Sequence, residues 1–281
     1  AINETWIADR DRYSCEGLYS QDRAHKPMVK EDGTWREVDW ETALEVAAGG
    51  LRKIVRESGA GQLGFLVSPS ATLEEAYLTG RIARGLGGGN VDYRLRRIDF
   101  RDQAGDPAAP LLGCGIADLE QAAAVLVVGS DLRKEVPIIA HRIRKGAMRR
   151  GTQVALVNPR KQDLLFPVTA SLVSNGLGMA QHLAAVLKAA LHEMGKPTPQ
   201  AVATALEGIV PGADHERVAK MLLGRDLRLV LLGALAERHV AFAEIRSLAA
   251  AIAAATGATL GFLTEGGNDV GAALAGATPQ R

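Results

Sequence analysis

Apolar residues along this chain gather into short unbroken runs, and the stretches between them carry helical spacing. Ala124–Val128 is a Val-rich run that stops at Gly129, the pattern of a strand buried on both faces of a parallel sheet. Thr152–Val157 repeats it. Between them lies a helical pattern that Pro137 suits as a first-turn residue and Gly151 stops. Leu63–Val67, Phe166–Leu172, Leu227–Leu232 and Thr259–Phe262 predict further strands, and Val91–Leu95 a short one. Helices are predicted over Thr72–Leu86, Gly178–Met194 and Val240–Ala255, with two shorter ones over Gln200–Ile209 and Asp214–Leu223. Asp39 is placed to cap a helix whose apolar positions are Ala43, Leu44, Ala47, Leu51, Ile54 and Val55. Strands that alternate with helices predict an α/β fold: a doubly wound, mostly parallel sheet with helices on both faces.

The first 40 residues read differently. They hold all three Trp residues (Trp6, Trp35, Trp40), a turn signal at Glu31-Asp32-Gly33 and alternation between Trp35 and Trp40. Short strands or extended chain are expected there. The expectation is that this region ends a preceding domain, with one segment over 1–45 and α/β structure over 46–281.

Charge and cysteine content narrow the class. With 33 basic and 32 acidic residues the net charge is +1, which argues against a nucleic-acid partner. Two cysteines, Cys15 and Cys114, are too few for an iron–sulfur cluster, and reduced thiols are expected. The charge-free run Ser247–Thr264 is Ala-, Gly- and Thr-rich, so no membrane span is expected. No signal peptide is expected either.

In an open α/β sheet, ligands bind beyond the carboxyl ends of the strands. Three loops qualify: Gly129-Ser130-Asp131, Asn158-Pro159-Arg160, and Gly266-Gly267-Asn268 within Thr264–Gly271. The first could cradle a phosphate, or be a tight turn with Ser130 or Asp131 as helix cap. The second could hold a ribose or guanine, with Arg160 on a phosphate, or be a polar turn. In the third, glycines permit close approach to a ligand, or the segment is a surface loop. The cluster Arg94, Arg96, Arg97 and Arg101 could neutralise phosphates or pair with Asp92, Asp99 and Asp102, and the alternation of signs favours salt bridging or a subunit contact. The charges of the basic helix bearing Arg142, Arg144, Lys145, Arg149 and Arg150 read as a solvated face or a subunit contact, with Ile138, Ile139, Ile143 and Ala147 inward. The six histidines are scattered with no metal spacing or nucleophile motif. No catalytic residue and no metal ligand set emerges. The first strand leads into Ser68-Pro69-Ser70 rather than a glycine fingerprint for dinucleotides.

The run Glu135-Val136-Pro137 followed by Arg142, Arg144, Lys145-Gly146-Ala147 and Arg150-Gly151 resembles the molybdopterin oxidoreductase superfamily. So does Asp118-Leu119-Glu120 before the strand and Gly129-Ser130-Asp131 after it. Trp35-x4-Trp40-x2-Ala43-Leu44 is similar to the segment following that family's iron–sulfur domain. The string WIADRDRYSCEGLYSQDRAHKPM and Asp92-Tyr93-Arg94-Leu95-Arg96 resemble one branch in particular, the large peripheral-arm subunit of bacterial NADH–quinone oxidoreductase (respiratory complex I).

The resemblance implies formate dehydrogenase/DMSO reductase-like domains behind a short β-rich tail of an iron–sulfur domain. Active members hold a bis-pterin guanine dinucleotide with molybdenum or tungsten. The metal takes a Cys, selenocysteine, Ser or Asp ligand from a loop here equivalent to Arg94–Gly105, which offers only Asp99 and Asp102. The complex I subunit shares the fold without the pterin, and its 4Fe–4S and 2Fe–2S clusters lie N-terminal to this region. The main expectation is therefore a cofactor-less structural domain with vestigial ligand loops. It would contact other peripheral-arm subunits on the cytoplasmic side of the inner membrane, and be soluble as a fragment. The alternative is a working molybdopterin-dependent domain of formate dehydrogenase or nitrate reductase type, with the pterin on the three loops.

Overall fold

The computed structural model describes residues 5–224 and 226–279. They form two compact units, one of 96–270 and one of 5–95 with the segment from Gly271 onward. The expected break after residue 45 falls inside a continuous helix, Trp40–Ser58, and the units divide elsewhere.

The 5–95 unit opens with a short helix, Asp9–Tyr13, and a 3-10 segment, Ser14–Tyr19, where short strands or extended chain were expected; an antiparallel hairpin follows, β1 (Met28–Glu31) and β2 (Thr34–Glu37). Its two-residue turn needs left-handed backbone at both positions, and Asp32 (φ 45°) and Gly33 (φ 82°) supply it. Asp39 then starts the helix as expected, its Oδ1 accepting from Thr42 N at 2.8 Å. That bond holds the Asp39 carboxyl below the usual carboxylate range. The predicted strand Leu63–Val67 shrinks to β3 (Phe65–Leu66), because its parallel partner β4 (Val91–Asp92) is equally short. The helix Leu73–Gly85 between them carries a reciprocal cap between Thr72 and Glu75. The unit's buried core is small: Val67, Ala76, Ala83, Val91, Tyr93, Ala272 and Ala277.

The 96–270 unit is the predicted doubly wound sheet. Its strands are β5 (Ala124–Val128), β6 (Gln153–Asn158), β7 (Ala170–Val173), β8 (Arg228–Leu232) and β9 (Thr259–Phe262). They lie in the order β7-β6-β5-β8-β9, all parallel. Alternation along β5 makes two cores. Ala124, Leu126 and Val128 join one with the helices Gly178–Glu193 and Phe242–Thr256. Val125 and Val127 join the other with Leu119 and with Ile143 of the helix Pro137–Arg150. Pro137 opens that helix and Gly151, at φ 76°, closes it.

Three expectations are corrected here. The strand expected over Phe166–Leu172 begins only at Ala170: Pro167 cannot donate to a ladder. The helix expected over Gln200–Ile209 reduces to one turn, Ala203–Leu206, behind a 3-10 turn. On the basic helix, Arg142 is buried rather than solvated. It pairs with Glu120, which Lys145 also reaches at 2.9 Å. Arg142 first and Lys145 second hold the Glu120 carboxyl below its ordinary range.

One further buried cation shapes the sheet. Arg228, at the start of β8, donates to Leu222 O at 2.7 Å and Thr256 O at 2.8 Å. Those carbonyls lie at the C-terminal ends of the helices Ala213–Met221 and Phe242–Thr256, where cations are favoured. Among the described residues no helix is long and apolar enough to cross a membrane.

Candidate functional site

The chain runs from β5 outward through β6 and β7, then returns to β8 on the other side of β5. The strand order reverses between β5 and β8, where ligand crevices open in such sheets. Here that crevice is closed by backbone. Gly129 has φ 62°, and a Cβ on it would sit 2.4 Å from Ala236 N. A Cβ on Gly233 would sit 2.3 Å from Ser130 Cβ. Gly129 O accepts from Leu235 N at 2.9 Å and Ala236 N at 3.1 Å. The first amides after β8 are thus spent on the loop after β5.

The first two predicted loops are brought together, and they bind each other. Buried Ser130 donates its N–H to Asn158 Oδ1 at 3.0 Å, and Asn158 Nδ2 donates to Ser130 O at 3.1 Å. Gln162 Nε2 donates to the same carbonyl at 2.7 Å. Ser130 Oγ donates to Glu135 Oε2 at 2.7 Å. Asp131 pairs with the exposed Arg160 at 2.9 Å, and its side chain does not cap the following helix Leu132–Glu135. The third loop follows β9, two strands from β5. There Gly266 N donates to Asp269 Oδ2 at 2.6 Å. Burial first, and Glu265 also, raise the Asp269 carboxyl above its ordinary range. Gly267 and Asn268 stand in this loop beyond the β9 end.

The predicted arginine cluster forms ion pairs. Arg94 pairs with Asp92 at 2.8 Å, Arg97 with Asp106 at 2.5 Å and Arg96 with Glu265 at 2.5 Å. Asp99 holds Arg101 through two 3.0 Å bonds and accepts from Ala243 N at 2.9 Å. Arg101 foremost drives the Asp99 carboxyl far below the usual range. Asp102 pairs with the buried Arg246. Both aspartates that could have served a metal are committed to guanidinium groups. Cys15 is exposed and Cys114 half-buried, both free thiols. Burial first, then Asp118, pushes the Cys114 thiol up.

An open cleft of about 620 Å³ lies at the carboxyl edge, lined by Pro159, Asn175, Gly176, Arg238 and His239 among others. This is the size of a small-molecule site. Pro159 follows β6, Asn175 and Gly176 follow β7, and Arg238 and His239 follow β8. His239 Nδ1 accepts from Ala241 N at 3.0 Å, so its Nε2 is the protonated nitrogen and donates to Gly176 O. Arg238 pairs with Glu265, yet its Nε is buried without a hydrogen-bond partner. Ser174 Oγ and Gln162 Oε1 are likewise buried and unpartnered. Buried polar atoms of this kind call for a ligand or an ordered water. Sequence reasoning named only Pro159 here. The signal was Ser174-Asn175-Gly176, a strand-to-helix turn hidden by the misplaced β7.

Comparison with known proteins agrees with the fold. A family model described as molybdopterin oxidoreductase matches residues 23–280. The F420-dependent formate dehydrogenase subunit alpha of Methanocaldococcus jannaschii is 31% identical over 166 residues, 57% of this chain and 24% of that protein. YjgC of Bacillus subtilis, described as a probable oxidoreductase, is 30% identical over 161 residues, 55% of this chain and 16% of that one. The chain therefore aligns with a quarter or less of these relatives' length. Acetylene hydratase from Pelobacter acetylenicus superposes with a TM-score of 0.53 at 16% identity, covering 96% of this chain and 37% of that one, a likeness of fold. With a family match across nearly the whole chain and the fold to go with it, this protein belongs to the molybdopterin oxidoreductase family.

Proposed function

We propose that this chain is part of a molybdopterin-dependent oxidoreductase of formate dehydrogenase type, and that its cleft receives a nucleotide arm of the pterin guanine dinucleotide. The observation that carries this is an open 620 Å³ cleft lined by Arg238, whose Nε is buried without a hydrogen-bond partner, with the likewise unpartnered Ser174 Oγ next to the lining residue Asn175. These fit an anionic, hydroxyl-bearing ligand. Arg238 offers charge, and the 16-residue helix Gly178–Glu193 begins at the cleft with its positive end. His239, fixed by Gly176 and Ala241, holds the turn after β7 against the turn after β8. Asn175 and Gly176 place main-chain groups at the cleft wall. When bound, the pterin-held metal supplies the two-electron chemistry; the residues here position and neutralise the nucleotide. Formate dehydrogenase relatives support this reading.

The test is cofactor content. Purified full-length protein is expected to carry pterin guanine dinucleotide by mass spectrometry and molybdenum or tungsten by metal analysis. Arg238→Ala is expected to weaken retention about ten-fold or more, the scale of one charged hydrogen bond. Unchanged retention in that variant rejects the cleft as the binding place.

The second reading is the large peripheral-arm subunit of complex I. It is favoured by the closure of the loops after β5 and β6, whose Ser130, Asn158 and Arg160 all bond to protein. In that reading the domain is a cofactor-less scaffold against other peripheral-arm subunits. The 4Fe–4S and 2Fe–2S clusters belong to another part of the parent chain, held at the cytoplasmic side of the inner membrane. Protein of apoprotein mass that co-purifies with NADH–quinone oxidoreductase activity would favour it.

A further inference from the structure

We propose that His182 and His215 form a proton-sensitive latch between two helices, closed when both rings are neutral and opened when either takes a proton. It does not depend on the cofactor reading. His182 stands on the helix Gly178–Glu193 and His215 on the helix Ala213–Met221. Thirty-three positions separate them in sequence, and the fold brings His182 Nδ1 to 2.9 Å from His215 Nε2.

The bonding pattern fixes where the protons are. His215 Nδ1 accepts from Gly212 N at 2.9 Å. A neutral His215 therefore carries its hydrogen on Nε2 and donates it to His182 Nδ1. Both Nδ1 atoms are then acceptors in use. A proton added to His215 Nδ1 faces the Gly212 N–H; one added to His182 Nδ1 faces the His215 Nε2–H. Either addition sets donor against donor and separates the helices. The same pattern disfavours a metal, since ligation through His215 Nε2 would need that nitrogen stripped of its hydrogen while Nδ1 already lacks one.

The surrounding charges allow the latch to work. Burial chiefly, then the proximity of His182, lowers the His215 proton affinity from its ordinary value of 6.5, and Asp214 partly offsets them. His215 also sits in the first turn of its helix, where the dipole opposes a cation. Arg217, two residues on, is held by Asp214 at 2.8 Å and by Thr169 O at 3.3 Å just before β7. On the facing helix Lys188 is drawn to Leu206 O at 3.4 Å, at the end of the turn Ala203–Leu206, and to Ile209 O at 2.7 Å just after it. Glu193 and Lys220 pair at 3.2 Å at the far end of the two helices, leaving the histidine end free to part. A histidine that binds its proton less readily folded than unfolded withdraws stability as pH falls below about 6.5.

Amide hydrogen exchange on the intact protein tests this at about pH 7.5 and about pH 5, corrected for intrinsic rates. Protection over residues 213–221 is expected to fall at the lower pH, by about ten-fold. Protection in β5 is expected to hold. His182→Asn places an amide oxygen near the Nδ1 position and removes one of the two rings, so the fall is expected to shrink. Ring-nitrogen chemical shifts of the unaltered protein at neutral pH are expected to show His215 unprotonated at Nδ1. Equal protection at both pH values, a fall shared equally by β5, an unchanged fall in His182→Asn, or a protonated Nδ1 on His215 would each overturn the latch.

Discussion

Asn158 illustrates how one side chain can look like a ligand contact and serve as a clamp. Its amide returns both hydrogen bonds of the buried Ser130 main chain, so its hydrogen-bonding atoms are spent on the loop it was expected to share with a nucleotide. Asn158→Ala leaves the buried Ser130 N–H without its partner, while Ser130 O keeps Gln162, and is expected to cost about 1–3 kcal/mol. A loss under about 1 kcal/mol in denaturant melts would show that the clamp carries little. Glu120 is the companion case. Glu120→Gln leaves Arg142 buried beside a neutral partner, with an expected cost of about 3 kcal/mol. Its carboxyl titrates below the ordinary 4.5 when folded, so its contribution is complete above that value and fades as pH falls through the folded one. Acid titration of stability is therefore expected to flatten in Glu120→Gln relative to the parent.

At the level of elements, legibility followed the local signals. β9 matches Thr259–Phe262 as read, and β5 matches Ala124–Val128, the latter because a continuous apolar run ending in glycine has few other solutions. The helix Pro137–Arg150 was readable from its proline and glycine ends. What failed was what tertiary partners decide. Arg142 lies on a helix whose spacing marks it as solvated, and only Glu120, in the preceding segment, makes it a buried ion. β7 was displaced by taking Phe166 as strand despite Pro167, and the turn after β7 then went unread. The cleft followed it into obscurity, since its walls come from three separate segments that follow β6, β7 and β8. The His182–His215 pair was invisible for the same reason: no spacing in sequence announces two rings meeting across a helix interface.

For the whole molecule, the family was legible and its finer branch was not settled by the same motifs. The order Asp118-Leu119-Glu120, strand, Gly129-Ser130-Asp131, basic helix carried the resemblance, and the family match across 23–280 agrees with it. The motifs that pointed to complex I lie largely in the N-terminal stretch, where Trp6, Trp35 and Trp40 are exposed and contribute little to the core. The formate dehydrogenase likeness rests on stretches that cover 57% of the chain or less. The mass and metal measurement on full-length protein decides between the branches.

The guanidinium at Arg228 has a further consequence. Because it holds carbonyls from two different helix ends while standing at the first residue of a strand, those three elements share a single fastening. Breaking it releases both helix termini at once. Arg228→Met keeps the apolar stem and removes the donors, so the ends of the two helices are expected to fray as separate events, each with its own opening rate. In the parent protein they are expected to open with one rate, as a single cooperative unit that straddles distant stretches of chain.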